Sequence, residues 1–256
     1  MWTASFLLLL VALVGAGIYE WAGKSLQVHL PLILAFGGAF LIGLIFNHLV
    51  PETYALGAHA GWFVLFGFMF QGLLEFLSQG IEHGHVHLHG SKDGDAKTPW
   101  GIVISLCLHA LIESMPLTES NGHHGHDHHH GHLHASGVEE LDMALFFGLV
   151  LHKFPVALVL MGMLNAFGMS ALGRWTVMVA FGLMPFFGMA IYEGLVHSGA
   201  SWAEQVPLIA GGVLIGILLH ISTTILFETG DGHRFNRNKL LVTLAGLALA
   251  MLTTGH

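Results

Sequence analysis

Leu106-Cys107-Leu108-His109-Ala110-Leu111-Ile112-Glu113-Ser114-Met115-Pro116 is an apolar run that carries one imidazole and one carboxylate. Wound as a helix, it sets His109 and Glu113 at i and i+4, on one face and about a turn apart. A second apolar run supplies Leu151-His152-Lys153-Phe154-Pro155. Two helices meeting at these positions would gather two imidazoles and a carboxylate around one point. Ionisable groups are costly in an apolar layer and are mostly kept there for a function. A mutual hydrogen bond between His109 and Glu113 that serves packing alone is the plainer alternative. The His and Lys beside a proline on the neighbouring run weigh against it.

The rest of the chain sets the class. Hydrophobic residues make up 54% and charged residues 9%, with a mean hydropathy of +0.70, whereas soluble domains carry about 25% charged residues. This composition describes an all-α, polytopic membrane protein in a lipid bilayer. A length of 256 residues accommodates about eight helices of roughly twenty residues with short loops, in a single transmembrane domain over 1–256. The net charge of -8 arises from few Lys and Arg, which argues against a nucleic-acid partner. Cys107, the single cysteine, excludes an internal disulfide and says nothing of redox compartment.

Hydropathy places the spans at about 2–21, 31–50, 61–81, 99–117, 141–165, 175–197, 207–227 and 239–253. No Lys or Arg precedes the first, so it reads as a membrane helix rather than a cleavable signal. Two polar breaks are rich in histidine. One, at about 83–98, holds His83, His85, His87 and His89; the other, at 119–140, holds a denser tract from His123 to His134. Lys24, Lys92, Lys97, Arg174, Arg234, Arg237 and Lys239 all fall after odd-numbered spans, and the loops after the second, fourth and sixth contain no Lys or Arg. The positive-inside rule therefore puts both termini outside, the first His tract in the cytoplasm and the second outside it.

Other polar groups fall within the apolar runs. His48 and Glu52 repeat the i, i+4 spacing at the end of the second span, as a hydrated rim or as part of a site. Glu75, Glu193 and His220 are expected to line a hydrated path or contact metal. Pro155 removes a hydrogen bond to the Leu151 carbonyl, which then faces an ion or simply packs. Imidazole with carboxylate and no thiolate suits borderline divalent ions, Zn²⁺ first, with Fe²⁺, Mn²⁺, Co²⁺ and Ni²⁺ also compatible. The His tracts suit weak binding of the same ions, or are a dispensable low-complexity insert.

With these pieces the chain resembles, over nearly its whole length, the ZIP (Zrt/Irt-like) family of divalent metal transporters. The matching pieces are His48-Leu49-Val50-Pro51-Glu52, the His-rich loop after the third span, and the motifs of the fourth and fifth. ZIP fourth helices typically read H-N-x-P-E/D-G, and here the run is His109-Ala110-Leu111-Ile112-Glu113-Ser114. Fifth helices typically read H-E-x-P-H-E, and here the run is His152-Lys153-Phe154-Pro155-Val156-Ala157. Ala110, Lys153, Val156 and Ala157 depart from the pattern at positions that often ligate. The resemblance implies an eight-helix transporter, commonly a homodimer, that moves metal toward the cytoplasm by alternating access. It implies a site between the fourth and fifth helices at His109, Glu113 and His152, with contributions from the second (His48, Glu52) and sixth (Glu193). Lys153 then stands where the family holds a second ion, and its ammonium either takes that ion's place beside Glu113 or snorkels to an interface and never meets the site. A bacterial inner (plasma) membrane is the expected location.

Two other classes are compatible with the same residues. A membrane-embedded zinc hydrolase could use His109, His152 and a third imidazole such as His220, with Glu113 as general base. No H-E-x-x-H signature supports it, so a non-enzyme is expected. A homologue that binds metal without transporting it is the other.

Overall fold

The computed structural model describes residues 2–26, 29–78, 100–119, 140–228 and 237–254. Both histidine tracts lie outside them, as do Lys92, Lys97 and Arg234. The apolar runs are helical, as a backbone that must satisfy its own hydrogen bonds requires. In chain order they are α1 (Trp2–Leu26), α2 (Leu30–Leu44), α3 (Val50–Leu56), α4 (Ala60–Ser78), α5 (Trp100–Glu113), α6 (Met143–Ala166), α7 (Ala171–Val196), α8 (Val206–Glu228) and α9 (Arg237–Thr254). Six segments among the described residues are long and apolar enough to cross a membrane: α1, the α2–α3 rod, α5 with its following turn, α6, α7 and α8. The apolar part of α4, Ala60–Phe76, is shorter, and α9 opens on the polar Arg237-Asn238-Lys239. The protein is thus an all-α, polytopic integral membrane protein.

The second span does not end at Val50, as its hydropathy suggests. A π turn, Ile45–Leu49, carries α2 directly into α3 and on to Leu56. The cause is Pro51, which has no N–H to give to the helix behind it. The Val50 N–H bonds Ile45 O in the wider π register, and Pro51 then occupies the first turn of α3, where a missing donor is tolerated. His48 lies inside this turn rather than at a frayed end, and π turns inside helices concentrate at functional sites.

The helices pack in two groups. In the first, α1 lies on α6 and α7, and α5 lies on α7; Ala12, Leu106, Ala110, Leu160, Met161 and Phe181 share a buried cluster there. In the second, α4 packs along α8, and α2 packs on α9 and α8. Backbones approach closely in both: a Cβ on Gly188 of α7 would clash with the Leu111 carbonyl of α5, and one on Gly216 of α8 with the Val64 carbonyl of α4. The groups meet where α2 lies on α6 and α4 on α5. Phe40, Leu44 and Leu218 of one group and Leu145, Leu149 and Met189 of the other fill that seam. At one end, Arg174 Nη2 is 2.6 Å from Glu20 Oε1, so the end of α1 and the start of α7 share a face of the bundle.

Two short strands tie α5 to α6. Thr118–Glu119 (β1) pairs antiparallel with Glu140–Leu141 (β2), with Thr118 opposite Leu141. Asp142 then caps α6: its Oδ1 accepts from Leu145 N at 2.8 Å. The Leu151 carbonyl freed by Pro155 points to the packing alternative, since a Cβ on Gly37 of α2 would sit 3.4 Å from it.

Candidate metal centre

His109 and Glu113 project from the last turns of α5 toward the middle of α6, where His152 and Lys153 lie side by side. All four side chains are buried, at 1 to 4% exposure. Glu113 Oε2 is 3.0 Å from His109 Nε2 and 4.0 Å from His152 Nε2. The two imidazoles meet edge to face, with ring centroids 5.7 Å apart. One ligand atom from each of His109, Glu113 and His152 lies within 4.8 Å of the other two. Nitrogen and oxygen ligands at 2.0–2.2 Å from a tetrahedral ion stand about 3.3 Å from one another. The triad thus needs only small side-chain shifts to close on a divalent ion, and Glu113 Oε2 faces both rings.

The other oxygen of Glu113 is engaged elsewhere. Lys153 Nζ donates to Glu113 Oε1 at 3.3 Å and lies 4.3 Å from the centroid of the Phe181 ring on α7. The ammonium therefore does not reach for an interface; a carboxylate and an aromatic face hold it in the interior. A carboxylate shared in this way has one oxygen committed to a fixed cation and one aimed at the imidazoles. Ala110 and Ala157, where the resemblance leads one to look for further ligands, are fully buried among apolar side chains, with Ala157 against Gly15 of α1.

A second cluster forms at the seam between the helix groups. His48 Nδ1 lies 2.9 Å from Glu52 Oε1, and His48 Nε2 lies 2.9 Å from Asp142 Oδ2. The three can also offer ligand atoms within 4.8 Å of one another. This site is wetter, with Glu52 half exposed and His48 at 20% exposure, while Asp142 is buried at 6%. His152 follows Asp142 by ten residues on the same helix, about 15 Å along its axis.

Of the residues singled out in the sequence, the structure therefore gathers His109, Glu113, His152 and Lys153 at one place and His48 and Glu52 at another. Glu193 joins neither triad; its Oε2 lies 3.2 Å from His197 Nδ1 near the end of α7. Glu75 and His220 meet each other across α4 and α8, with Oε2 to Nε2 at 2.6 Å and the Phe68 ring edge-on to the imidazole. His220 is thus not grouped with His109 and His152. Asp142 escaped the sequence reading. Its signal was present, an Asp immediately before an apolar helical run, which marks an N-cap, but nothing local shows that its second oxygen meets His48. The chain matches neither a protein-family model nor a curated protein.

These clusters have the donor set of a divalent metal site inside a membrane-embedded helical bundle.

Proposed function

We propose that the chain is a ZIP-like transporter of divalent metal ions, zinc foremost, that moves metal toward the cytoplasm by alternating access. The observation that carries this reading is the convergence of His109, Glu113 and His152 inside the bundle, with one Glu113 oxygen aimed at both rings. An intramembrane site of few, neutral or singly charged ligands holds an ion firmly enough to strip water and weakly enough to release it. The ligands all come from α5 and α6, which belong to one helix group, so the site travels with that group when it shifts against the other. Lys153 supplies the charge that a second ion would bring, which leaves one transported ion per site. The chain is taken to cross the membrane eight times, α4 and α9 included, with both termini outside and as a homodimer.

The hydrolase alternative finds less support at its third imidazole, because His220 lies beside Glu75 rather than with His109 and His152. The test is uptake by purified protein in liposomes that contain a zinc-sensitive dye. Zinc-dependent signal, absent from empty liposomes and from His109→Ala, is expected. No influx from protein that still binds zinc would favour the homologue that binds without transporting.

A further inference from the structure

The two triads differ in how their ligands are shared between the helix groups. His109, Glu113 and His152 belong to α5 and α6 and so to one group. In the other triad, His48 and Glu52 belong to the α2–α3 rod of the second group, while Asp142 opens α6 of the first. The His48 to Asp142 contact therefore crosses the seam.

We infer that the His48–Glu52–Asp142 cluster is a second cation site that works as a clasp: a divalent ion held between His48 Nε2 and Asp142 Oδ2 fastens the ends of the two helix groups together. The local geometry is suited to this. Asp142 Oδ1 is fixed by the Leu145 N–H at 2.8 Å, which leaves Oδ2 pre-aimed across the seam. Glu52 Oε1 holds the far ring nitrogen of His48, the arrangement by which carboxylates orient metal-binding imidazoles. His48 Nε2 and Asp142 Oδ2 are 2.9 Å apart, against about 3.3 Å for two ligands on a tetrahedral ion, so an ion enters with a small widening. The exposure of Glu52 and His48 leaves water free to complete the coordination. The π turn made necessary by Pro51 is what presents His48 toward Asp142 while the helix continues to Glu52.

This inference deepens the transport reading and rests on its relative motion of two helix groups. When the groups part at this end, the site divides, with His48 and Glu52 leaving in one direction and Asp142 in the other. An ion in the clasp then favours the closed arrangement, and releasing it inward to His109 and His152 frees the seam.

The test uses the full chain with spin labels on cysteines replacing Leu56, at the end of α3, and Phe147, on α6, both exposed and one in each group. Pulsed electron resonance reads the distance between them with and without Zn²⁺. Zinc is expected to collapse a broad distribution to a single short distance. Asp142→Asn is expected to abolish that effect, because asparagine keeps the cap on α6 and removes the ligand oxygen. His109→Ala is expected to leave the effect intact. A distribution that zinc does not change, a zinc effect that survives Asp142→Asn, or one lost in His109→Ala would each overturn the clasp. Failure of the transport reading would show separately, as liposomes that take up no zinc while the label distances still respond.

Discussion

The inner and outer triads use the same chemistry, imidazole with carboxylate, in opposite settings. The inner one is dry, lies within one helix group and carries a built-in cation; the outer one is partly wet and divided between groups, with neither Lys nor Arg in the triad. Burial makes the inner groups expensive to unbalance, since a charge left alone there has neither water nor partner. Hydration makes the outer groups cheap to rearrange. On the proposed reading the inner site binds and releases at depth and the outer one opens and closes at the seam, and these respective properties suit those tasks.

The comparison is broken most directly at His109. His109→Ala removes one of the three inner ligands and touches no outer one, so zinc uptake in liposomes should fall by at least about a hundredfold, beyond the 10–100-fold typical of residues that only support a ligand. Glu113→Ala should also stop uptake, but it tests something different, because it strands the Lys153 ammonium in the interior. The expected cost is about 3–5 kcal/mol of stability, read as a lower Tm in detergent, and Lys153→Met in the same protein should recover most of it. Equal Tm values for Glu113→Ala with and without Lys153→Met would mean that the pair is not a buried charge pair in solution. Asp142→Asn should act more gently, raising the half-saturating zinc concentration about tenfold, equivalent to about 1.4 kcal/mol, with maximal uptake less affected. A collapse of maximal uptake as deep as that of His109→Ala would erase the distinction between the two sites.

Sequence spacing reveals what is local and conceals what is not. His109 with Glu113, and His48 with Glu52, are i, i+4 pairs that any helix must place together, and both meet in the structure. His152 and Lys153 could be joined to the first pair because ionisable neighbours beside Pro155 stand out in an apolar run. The helix starts also follow hydropathy, since the hydrocarbon allows little else, whereas α1 runs on to Leu26 and the second span to Leu56. The partition of the candidates was not legible. Which helix lies beside which depends on small-residue contacts such as Gly188 against α5 and Gly216 against α4, and nothing in chain order says that Glu75 will face His220 or that Glu193 will lie beside His197 rather than in either triad. The π turn was hidden for a related reason: Pro51 announces a break, and only the alternative register of Val50 turns that break into a continuation.

The smallest effect is expected where the sequence is most conspicuous. The tract from 123 to 134 is dense in imidazole and lies in the connection between β1 and β2. Dense imidazole in low-complexity sequence binds divalent ions weakly and in many geometries, so it can collect metal but cannot set the inner triad. Its removal should also be structurally tolerable. Residues 120–122 and 135–139 would remain to join strands whose pairing ends at Glu119 and Glu140, more than the 2–5 residues a hairpin commonly needs. Shortening the connection by rather more than half changes its closure entropy by about 0.8 kcal/mol, in the stabilising direction. Deleting 123–134 should therefore leave Tm and maximal uptake nearly unchanged and at most raise the half-saturating zinc concentration. If the deletion abolished uptake while His109→Ala retained it, the metal path would run through the tract, and neither triad would hold the place assigned to it.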